Sequence, residues 1–242
     1  MDRGVYDRMR ALEAGHWWFR ARREIIASQL AALPLPSSAR ILEVGCGPGG
    51  NLPMLKAFGD VIGLEPDAET RAYAAEHTGV SVAGGALPDD LPFEPGTFDL
   101  VCAFDVIEHV EEDEAAVRSL AGVVRAGGHM ATTVPAQPWM WSRHDELHHH
   151  KRRYRMGPYR RLFDRAGLTV VKASYFNTLL FPPIAGVRLV KLATGAGAAD
   201  DGGIPPAPVN RLLEEVFGAE RFWLRRAALP FGVSILMIAR KP

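Results

Sequence analysis

The 242-residue sequence predicts an α/β fold: a single doubly wound domain with a mostly parallel sheet of seven strands. Short apolar runs, typical of buried parallel strands, alternate with segments of helical periodicity. The first run, 40–44, leads directly into a glycine-rich turn. This length suits one α/β domain rather than two. We divide the domain into a helical N-terminal cover (1–37), a ligand-binding core (38–135) and a C-terminal part (136–242).

The elements follow one another in a regular order along the chain. Strands are expected at 40–44, 60–65, 80–82, 98–103, 129–134 and 233–239, and residues 168–171 are expected to begin a further strand. Helices are expected at 1–33, 51–58, 68–76, 113–125, 156–167 and 209–226. Asp67 is a candidate N-cap for the third of these helices. Gly127 and Gly128 are expected to stop the helix that precedes the fifth strand.

An apolar insertion with interspersed cations, residues 176–197, precedes the last strand. It can form a core-facing helix, an apolar acceptor channel, a homodimer contact or a membrane-surface patch. Residues 198–208 have the composition of a flexible linker. The prolines, Arg188 and Lys191 within the insertion argue against a membrane-spanning helix. We expect peripheral membrane contact at most, in a monomer or a homodimer.

Composition narrows the class of protein. The formal net charge is zero and the pI is about 7.1, so the basic excess typical of nucleic-acid binding is missing. Cys46 and Cys102 form neither a disulfide framework nor a C-x-x-C site. A reducing cytoplasm is the expected compartment, and the charged N-terminus does not resemble a secretory signal.

The glycine turn at 45–50 has the composition of a nucleotide-binding loop. Gly45, Gly47 and Gly49 permit left-handed backbone and close approach of a ligand. The string also satisfies G-x-G-x-x-G, so a dinucleotide is an alternative. Glu43, two residues before the first glycine, would repel a pyrophosphate and suits a ligand with a cationic amino-acid end. S-adenosylmethionine, with an ammonium group and a sulfonium, is such a ligand.

Four motifs within residues 38–135 resemble those of class I S-adenosylmethionine-dependent methyltransferases, in particular type 11-like enzymes acting on small molecules. They are EVGCGPG at 43–49, VIGLEPD at 61–67, LPFEPGTFDLVCAFDVIEHV at 91–110 and VVRAGGHMATTVP at 123–135. The resemblance implies the Rossmann-like methyltransferase fold with an antiparallel seventh strand. It also implies S-adenosyl-L-methionine as the cofactor.

The resemblance also implies a set of cofactor-binding residues. Glu65, 20 residues after Gly45, is positioned to accept the ribose hydroxyls. Many relatives carry an aspartate where this chain has Gly85, so adenine contacts are expected from the backbone near Ala86 and Leu87. The full set is Glu43, Gly45, Cys46, Gly47, Gly49, Asn51, Glu65, Pro66, Ala86, Leu87, Phe104 and His109.

Aromatic and cationic residues are concentrated before the first strand. Trp17, Trp18 and Phe19 stand beside Arg20, Arg22 and Arg23. Their helix can anchor on the core through its rings. Alternatively, Trp17, Trp18, Phe19 and Arg22 form a lid over the cofactor and acceptor pocket, where rings would attract a sulfonium.

A second unusual segment, residues 136–163, follows the fifth strand. It contains Trp139, Trp141 and four histidines among basic residues, and its pattern resembles a methyltransferase subgroup that shares the N-terminal aromatics. We expect Trp139 and Trp141 to contact the acceptor, although a solvated loop is an alternative. His144 and His148 have the i, i+4 spacing of metal ligands, but we assign no metal because methyl transfer from a sulfonium requires none.

The predicted activity is direct in-line methyl transfer to a small-molecule acceptor, apolar or anionic. A hydroxyl acceptor needs a general base, for which the candidates are His109, His144, His148 and Tyr154. One alternative is a regulatory protein that binds S-adenosylmethionine without transferring its methyl group. A remoter alternative is an NAD-dependent oxidoreductase, which Glu43 disfavours.

Overall fold

The computed structural model describes residues 3–194 and 203–242, which form a seven-stranded sheet covered by helices. The strands are β1 (Arg40–Val44), β2 (Asp60–Leu64), β3 (Ser81–Ala83), β4 (Phe98–Phe104), β5 (Val124–Pro135), β6 (Thr169–Phe176) and β7 (Ser234–Arg240). Their spatial order is β3-β2-β1-β4-β5-β7-β6. Only β7 runs antiparallel to its neighbours. The predicted mostly parallel sheet with an antiparallel seventh strand is confirmed.

Ten helices lie in the described ranges. They are α1 (Arg3–Leu12), α2 (Trp17–Leu30), α3 (Leu52–Leu55), α4 (Ala68–Thr78), α5 (Asp113–Val123), α6 (Arg143–Leu147), α7 (Met156–Arg165), α8 (Phe181–Thr194), α9 (Ala207–Gly218) and α10 (Glu220–Leu224). Short 3₁₀ turns occupy Ile107–His109 and Pro138–Met140. As predicted, the Asp67 carboxylate caps α4 by accepting from the Thr70 N–H at 2.8 Å.

The strands are fully buried where helices cover both faces of the sheet. On one face, side chains of α5 and α7, such as Leu120 and Phe163, pack against β4 and β5. On the other, Ile26 and Leu30 of α2 pack against β1 and β4. Strand order reverses between β1 and β4, so a ligand crevice is expected outside the carboxyl ends of these two strands.

Several predicted boundaries were wrong; the helix expected at 209–226, for example, is the two helices α9 and α10. Helix α5 ends at Val123 and β5 begins at once, because the Val124 backbone already pairs with Phe98 of β4. Gly127 and Gly128 therefore belong to the strand, where their backbones bond to Lys241. Helix α3 has only four residues. The N-terminal segment is two helices, because the chain turns between Leu12 and Trp17.

The apolar insertion forms helix α8 and buries only its inner side. Ala185 is buried, whereas Val187, Leu189 and Val190 are more than half exposed. A purely core-facing helix is therefore wrong for this segment. The predicted linker at 198–208 lies largely outside the described residues. Among the described helices, none combines the length and apolarity needed to cross a membrane.

Candidate functional site

The glycine turn after β1 has the open backbone that the sequence predicts. Gly45, Gly47 and Gly49 adopt φ values of 64°, 54° and 93°. A Cβ on Gly45 would lie 2.7 Å from the Val106 side chain, so a substitution there is blocked by both conformation and space. The carboxyl end of the central strand is therefore followed by backbone that carries few side chains, and Gly47 and Gly49 are buried there.

Glu43 lies buried beneath this turn and is only half satisfied. One carboxylate oxygen, Oε1, accepts from Asn51 Nδ2 at 2.7 Å, whereas Oε2 is buried without a hydrogen-bond partner. Burial raises the pKa of Glu43 to about 8. The orphan oxygen is therefore free to receive a donor from a bound ligand, and a cationic donor would stabilise the charged carboxylate.

Glu65 at the end of β2 accepts three hydrogen bonds. Its Oε2 accepts from the Gly47 N–H at 3.0 Å, which ties β2 to the glycine turn. Its Oε1 accepts from the Tyr6 hydroxyl at 2.9 Å and from the Asp67 N–H at 3.1 Å. Glu43 and Glu65 therefore flank the turn, one on each of two adjacent strands.

Helix α1 covers the glycine turn through residues that the sequence analysis did not select. Tyr6 reaches Glu65, and the Met9 methyl group lies 3.4 Å from the position of a Cβ on Gly47. The Glu13 carboxylate hydrogen bonds to the Gly50 backbone, and burial raises its pKa to about 7. The helical spacing of Tyr6 and Met9 was visible in the sequence, but nothing there indicated which surface they cover.

Arg22 of α2 is buried and reaches the end of β4. Its Nη2 lies 2.6 Å from Asp105 Oδ2 and donates to Thr133 Oγ1 at 2.9 Å. Asp105 adopts a left-handed backbone, with φ of 57°, immediately after Phe104. Phe104 is buried, and the Arg22 Cζ atom lies over its ring, 5.6 Å from the ring centroid. These contacts fix α2 across the carboxyl ends of β4 and β5.

The aromatic residues at the start of α2 pack on α9 and on one another. Trp17 meets Phe217 of α9 edge to face at 5.9 Å. Trp18 packs on the same apolar cluster and receives the Arg22 guanidinium over its ring at 4.9 Å. Phe19 contacts Trp18 edge to face. Of the four predicted lid residues, Arg22 contacts Asp105 and Thr133 at the carboxyl ends of β4 and β5.

The remaining predicted cofactor residues follow β1, β2 and β3. The Cys46 N–H bonds to the Leu64 carbonyl, and its thiol is buried. The carbonyl of Pro66 accepts from Arg71. Ala86 exchanges two backbone hydrogen bonds with Asp90, so its N–H is already satisfied. Leu87 packs against the core.

The segment after β5 is held by a buried ionic group. Asp145 is fully buried and accepts from Arg153 Nε at 2.7 Å and from the His150 ring at 2.9 Å. These two partners hold the pKa of Asp145 below its usual range against the effect of burial. Trp139 and Trp141 lie outside this group and are 45% and 37% exposed.

Three of the four candidate bases lie close together in the structure, and the fourth lies apart from them. The ring centroids of His144 and His148 lie 4.3 Å apart, and the centroid of each lies about 6 Å from that of His150. His109 meets His150 at 4.8 Å, so three of the four candidates share one histidine group. Tyr154 stands apart because its hydroxyl donates to Asp113 at 2.9 Å.

Burial lowers the pKa of His109, His144 and His148. The pKa is about 3 for His109 and His144 and about 4 for His148. Desolvation is the largest cause, and neighbouring histidines add to it. These imidazoles are therefore neutral near pH 7 and have a lone pair for a proton or a metal ion.

The residues around the glycine turn fit S-adenosylmethionine. The orphan oxygen of Glu43 suits the ammonium end, Glu65 suits hydroxyl donors, and the glycines place no side chains at the turn. When bound, the sulfonium supplies an already activated methyl group. A pyrophosphate needs several N–H donors, and Glu43 and Glu13 place carboxyl groups at the turn instead, which disfavours a dinucleotide.

Comparison with known proteins gives the same assignment. The family model for a methyltransferase domain matches residues 17–173, more than half of the chain. The ubiquinone biosynthesis O-methyltransferase of Rhizobium johnstonii is 32% identical over 155 residues, covering 53% of this chain and 61% of that protein. That of Aliivibrio fischeri ES114 is 36% identical over 98 residues, covering 38% and 42%. The chain thus matches only about 40–60% of these relatives' length.

Solved structures share the fold at low sequence identity. A chain from the complex of the Haloferax volcanii Trm112 methyltransferase activator with a methyltransferase superposes with a TM-score of 0.64 and 20% identity, covering 99% of this chain and 95% of that one. Geranyl diphosphate methyltransferase in complex with S-adenosylmethionine gives 0.61 and 19%, covering 92% and 85%. From the family match together with the glycine turn, the chain belongs to the methyltransferase-domain family and is a class I S-adenosylmethionine-dependent methyltransferase.

Proposed function

We propose that the enzyme transfers the methyl group of S-adenosylmethionine to a small-molecule acceptor by direct in-line displacement. The observation that carries this proposal is the cover formed by α1 and α2. Tyr6, Glu13 and Arg22 bridge from these helices to Glu65, Gly50 and Asp105. A glycine turn covered in this way suits an acceptor small enough to enter beneath the helices, rather than the surface of a macromolecule.

The acceptor proposed is apolar and carries a hydroxyl group. Trp139 contacts Phe181 at the start of α8 at 6.2 Å, and Phe181 contacts Phe231 at 5.5 Å. These rings form an exposed apolar rim that connects the segment after β5 with α8. The curated relatives are O-methyltransferases of ubiquinone biosynthesis, which supports an oxygen acceptor on an apolar molecule.

The protein's contribution is alignment and exclusion of water. Glu43, Glu65 and the glycine turn would hold the two ends of the cofactor, and the N-terminal helices would close over it. A hydroxyl acceptor must lose its proton, and His144 and His148, whose ring centroids lie 4.3 Å apart in the segment after β5, are the proposed proton acceptors. Two free, buried cysteines are consistent with a reducing cytoplasmic location.

The test incubates the enzyme with S-adenosylmethionine labelled at the methyl group and a cell extract separated into small-molecule, protein and RNA fractions. We expect label in the organic-soluble small-molecule fraction. Synthetic phenols with apolar side chains are then compared with amines of equal size. Label confined to protein or RNA, or equal turnover of the amines, would overturn the proposed acceptor class without affecting the cofactor assignment.

A further inference from the structure

Three potential metal ligands meet beside the end of β4. Glu108 and His109 lie on the 3₁₀ turn Ile107–His109, and His150 follows α6. One ligand atom from each of the three lies within 4.8 Å of the others. Sequence spacing could not reveal the group, since more than 40 residues separate His150 from the other two.

Glu108 is the unusual member of this group. Its side chain is fully buried, and neither carboxylate oxygen has a hydrogen-bond partner. An unpaired buried carboxylate is costly, so it is normally paired, protonated or bound to a cation. The two neighbouring guanidinium groups form ion pairs with other carboxylates: Arg22 pairs with Asp105, and Arg153 pairs with Asp145. The fold therefore leaves this carboxylate without a direct counter-charge among the described residues.

The two histidines are oriented as metal ligands usually are. The Nδ1 atom of His150 lies 2.9 Å from Asp145, which leaves its Nε2 atom for another partner. Asp145 is itself fixed by Arg153. The His109 ring is hydrogen bonded to the backbone of His149. Outer hydrogen bonds of this kind, from one ring nitrogen to a carboxylate or carbonyl, set the tautomer and direct the other nitrogen to a metal.

We propose that Glu108, His109 and His150 bind a divalent metal ion of the zinc class. Two imidazoles and one carboxylate form a set suited to Zn²⁺ and related transition metals. Three protein ligands leave an open position for water or another oxygen ligand. Asp105 contributes further negative charge nearby. The proposal concerns metal binding and does not depend on which acceptor is methylated.

The experiment measures Zn²⁺ binding by the purified, chelator-treated chain in competition with a chromogenic chelator. We expect one tight equivalent per chain. His150→Ala should weaken it by at least roughly 100-fold, since one of three ligands is lost, whereas Asp145→Asn should weaken it by about 10–100-fold. His77→Ala, on an exposed ring of α4, is the matched control and should leave binding unchanged.

Glu108→Gln separates metal binding from folding. The amide has the shape of the carboxyl group but lacks its ability to ligate a metal as an anion, so the metal-free variant should fold and melt close to the parent. Addition of Zn²⁺ should raise the melting temperature of the parent but hardly that of the variant. S-adenosylmethionine binding is measured in parallel and should be retained, so loss of the metal site is distinguishable from loss of the cofactor site.

Three results would overturn the proposal. The first is no stoichiometric Zn²⁺ binding by the folded parent. The second is loss of the tight equivalent in the double variant His144→Ala/His148→Ala while His150→Ala retains it, which would assign the ion to the i, i+4 pair. The third is an unchanged Zn²⁺-induced shift in the Glu108→Gln variant.

Discussion

At the residue scale, the candidate cofactor site is a set of acids arranged around a turn without side chains. Glu43 and Glu65 are supplied by adjacent strands, and Glu13 approaches from α1. Each carboxylate is placed differently: one is half satisfied, one accepts three hydrogen bonds, and one is partly buried against the Gly50 backbone. Burial raises the pKa of Glu43 to about 8 and that of Glu13 to about 7, and a cationic ligand would stabilise the charged form of both groups.

Glu65→Gln is predicted to weaken S-adenosylmethionine binding by roughly 1–3 kcal/mol, the cost of leaving buried hydrogen-bonding groups unpaired. The glutamine has only one acceptor oxygen, so it cannot accept from both the Tyr6 hydroxyl and the Gly47 N–H, which bond to different oxygens of Glu65. Isothermal titration calorimetry provides the measurement, with Glu76→Gln on the exposed side of α4 as the control. Unchanged affinity would remove Glu65 from the cofactor site.

Glu13 should make the ligand-free protein less stable as pH rises. Its pKa is about 7 in the folded chain and about 4.5 when unfolded. The folded state therefore binds more protons between these values, and the free energy of unfolding falls by roughly 3 kcal/mol from pH 4.5 to pH 8 because of this group.

Urea denaturation of the Glu13→Gln variant at pH 4.5, 6 and 8 tests this assignment. We expect the decline in unfolding free energy over that range to become shallower than in the parent. Glu76→Gln should keep the parental slope. If the Glu13 and Glu76 variants follow the same curve, Glu13 is not the responsible group.

At the element scale, the two N-terminal helices have different tasks. Helix α2 is anchored, with Trp17 on Phe217 and Ile25 in the same apolar cluster. Helix α1 instead touches the glycine turn through Tyr6 and Met9. The anchoring interpretation therefore describes α2, and the covering interpretation describes α1 together with Arg22.

Trp17→Ala is expected to destabilise the fold by roughly 2 kcal/mol, because a partly buried ring that packs on α9 is lost. Trp223→Ala, at a site where the ring is 53% exposed, is the matched control and should cost far less. Thermal unfolding monitored by circular dichroism measures both. A Trp17 variant of parental stability but reduced turnover would instead support a lid role for this ring.

Tyr6→Phe is expected to tighten S-adenosylmethionine binding several-fold. The Tyr6 hydroxyl donates to Glu65 Oε1, one of the atoms proposed to accept from the ribose. The cofactor must therefore break this hydrogen bond, which contributes about 1 kcal/mol net, before its own hydroxyl can bond there. Isothermal titration calorimetry with S-adenosylmethionine measures the affinity of the Tyr6→Phe variant, and Tyr73→Phe on α4 is the control. Weaker binding would mean that the Tyr6 hydroxyl contributes to holding the cofactor.

At the scale of the whole molecule, the sheet places every proposed functional group at one edge. The carboxyl ends of β1, β2, β4 and β5 carry the glycine turn, Glu65, Asp105 and the segment with Trp139. The donor groups lie on one side of the strand-order reversal, and the histidine group follows β4 on the other. Binding at this edge should therefore stabilise the entire fold.

S-adenosylmethionine and S-adenosylhomocysteine should both raise the melting temperature, whereas NAD should not. A ligand present at 100 times its dissociation constant contributes about 2.7 kcal/mol of stability. Differential scanning fluorimetry with the three ligands at matched concentration is sufficient. A shift with NAD alone would contradict the cofactor assignment.

The sequence predicted the parts of the molecule whose signals are local. The run 40–44, the glycine turn and Glu43 are contiguous, so their strand and turn geometry follows from neighbouring residues. Burial partners are not local: nothing adjacent to Tyr6 indicates Glu65, 59 residues away. The same holds for the Glu108–His150 proximity. The end of α5 was misplaced because pairing of Val124 with β4 overrides the glycine signal that follows it.

The position of β7 has a consequence for how the chain folds. The strand that comes last in the sequence lies between β5 and β6, which do not pair with each other. The edges of β5 and β6 that face β7 cannot pair until residues 234–240 have been synthesised. During synthesis both strands therefore expose unpaired backbone to other nascent chains. Recruitment of this late strand should be the slow step of folding, since its contacts span the largest sequence separations in the sheet.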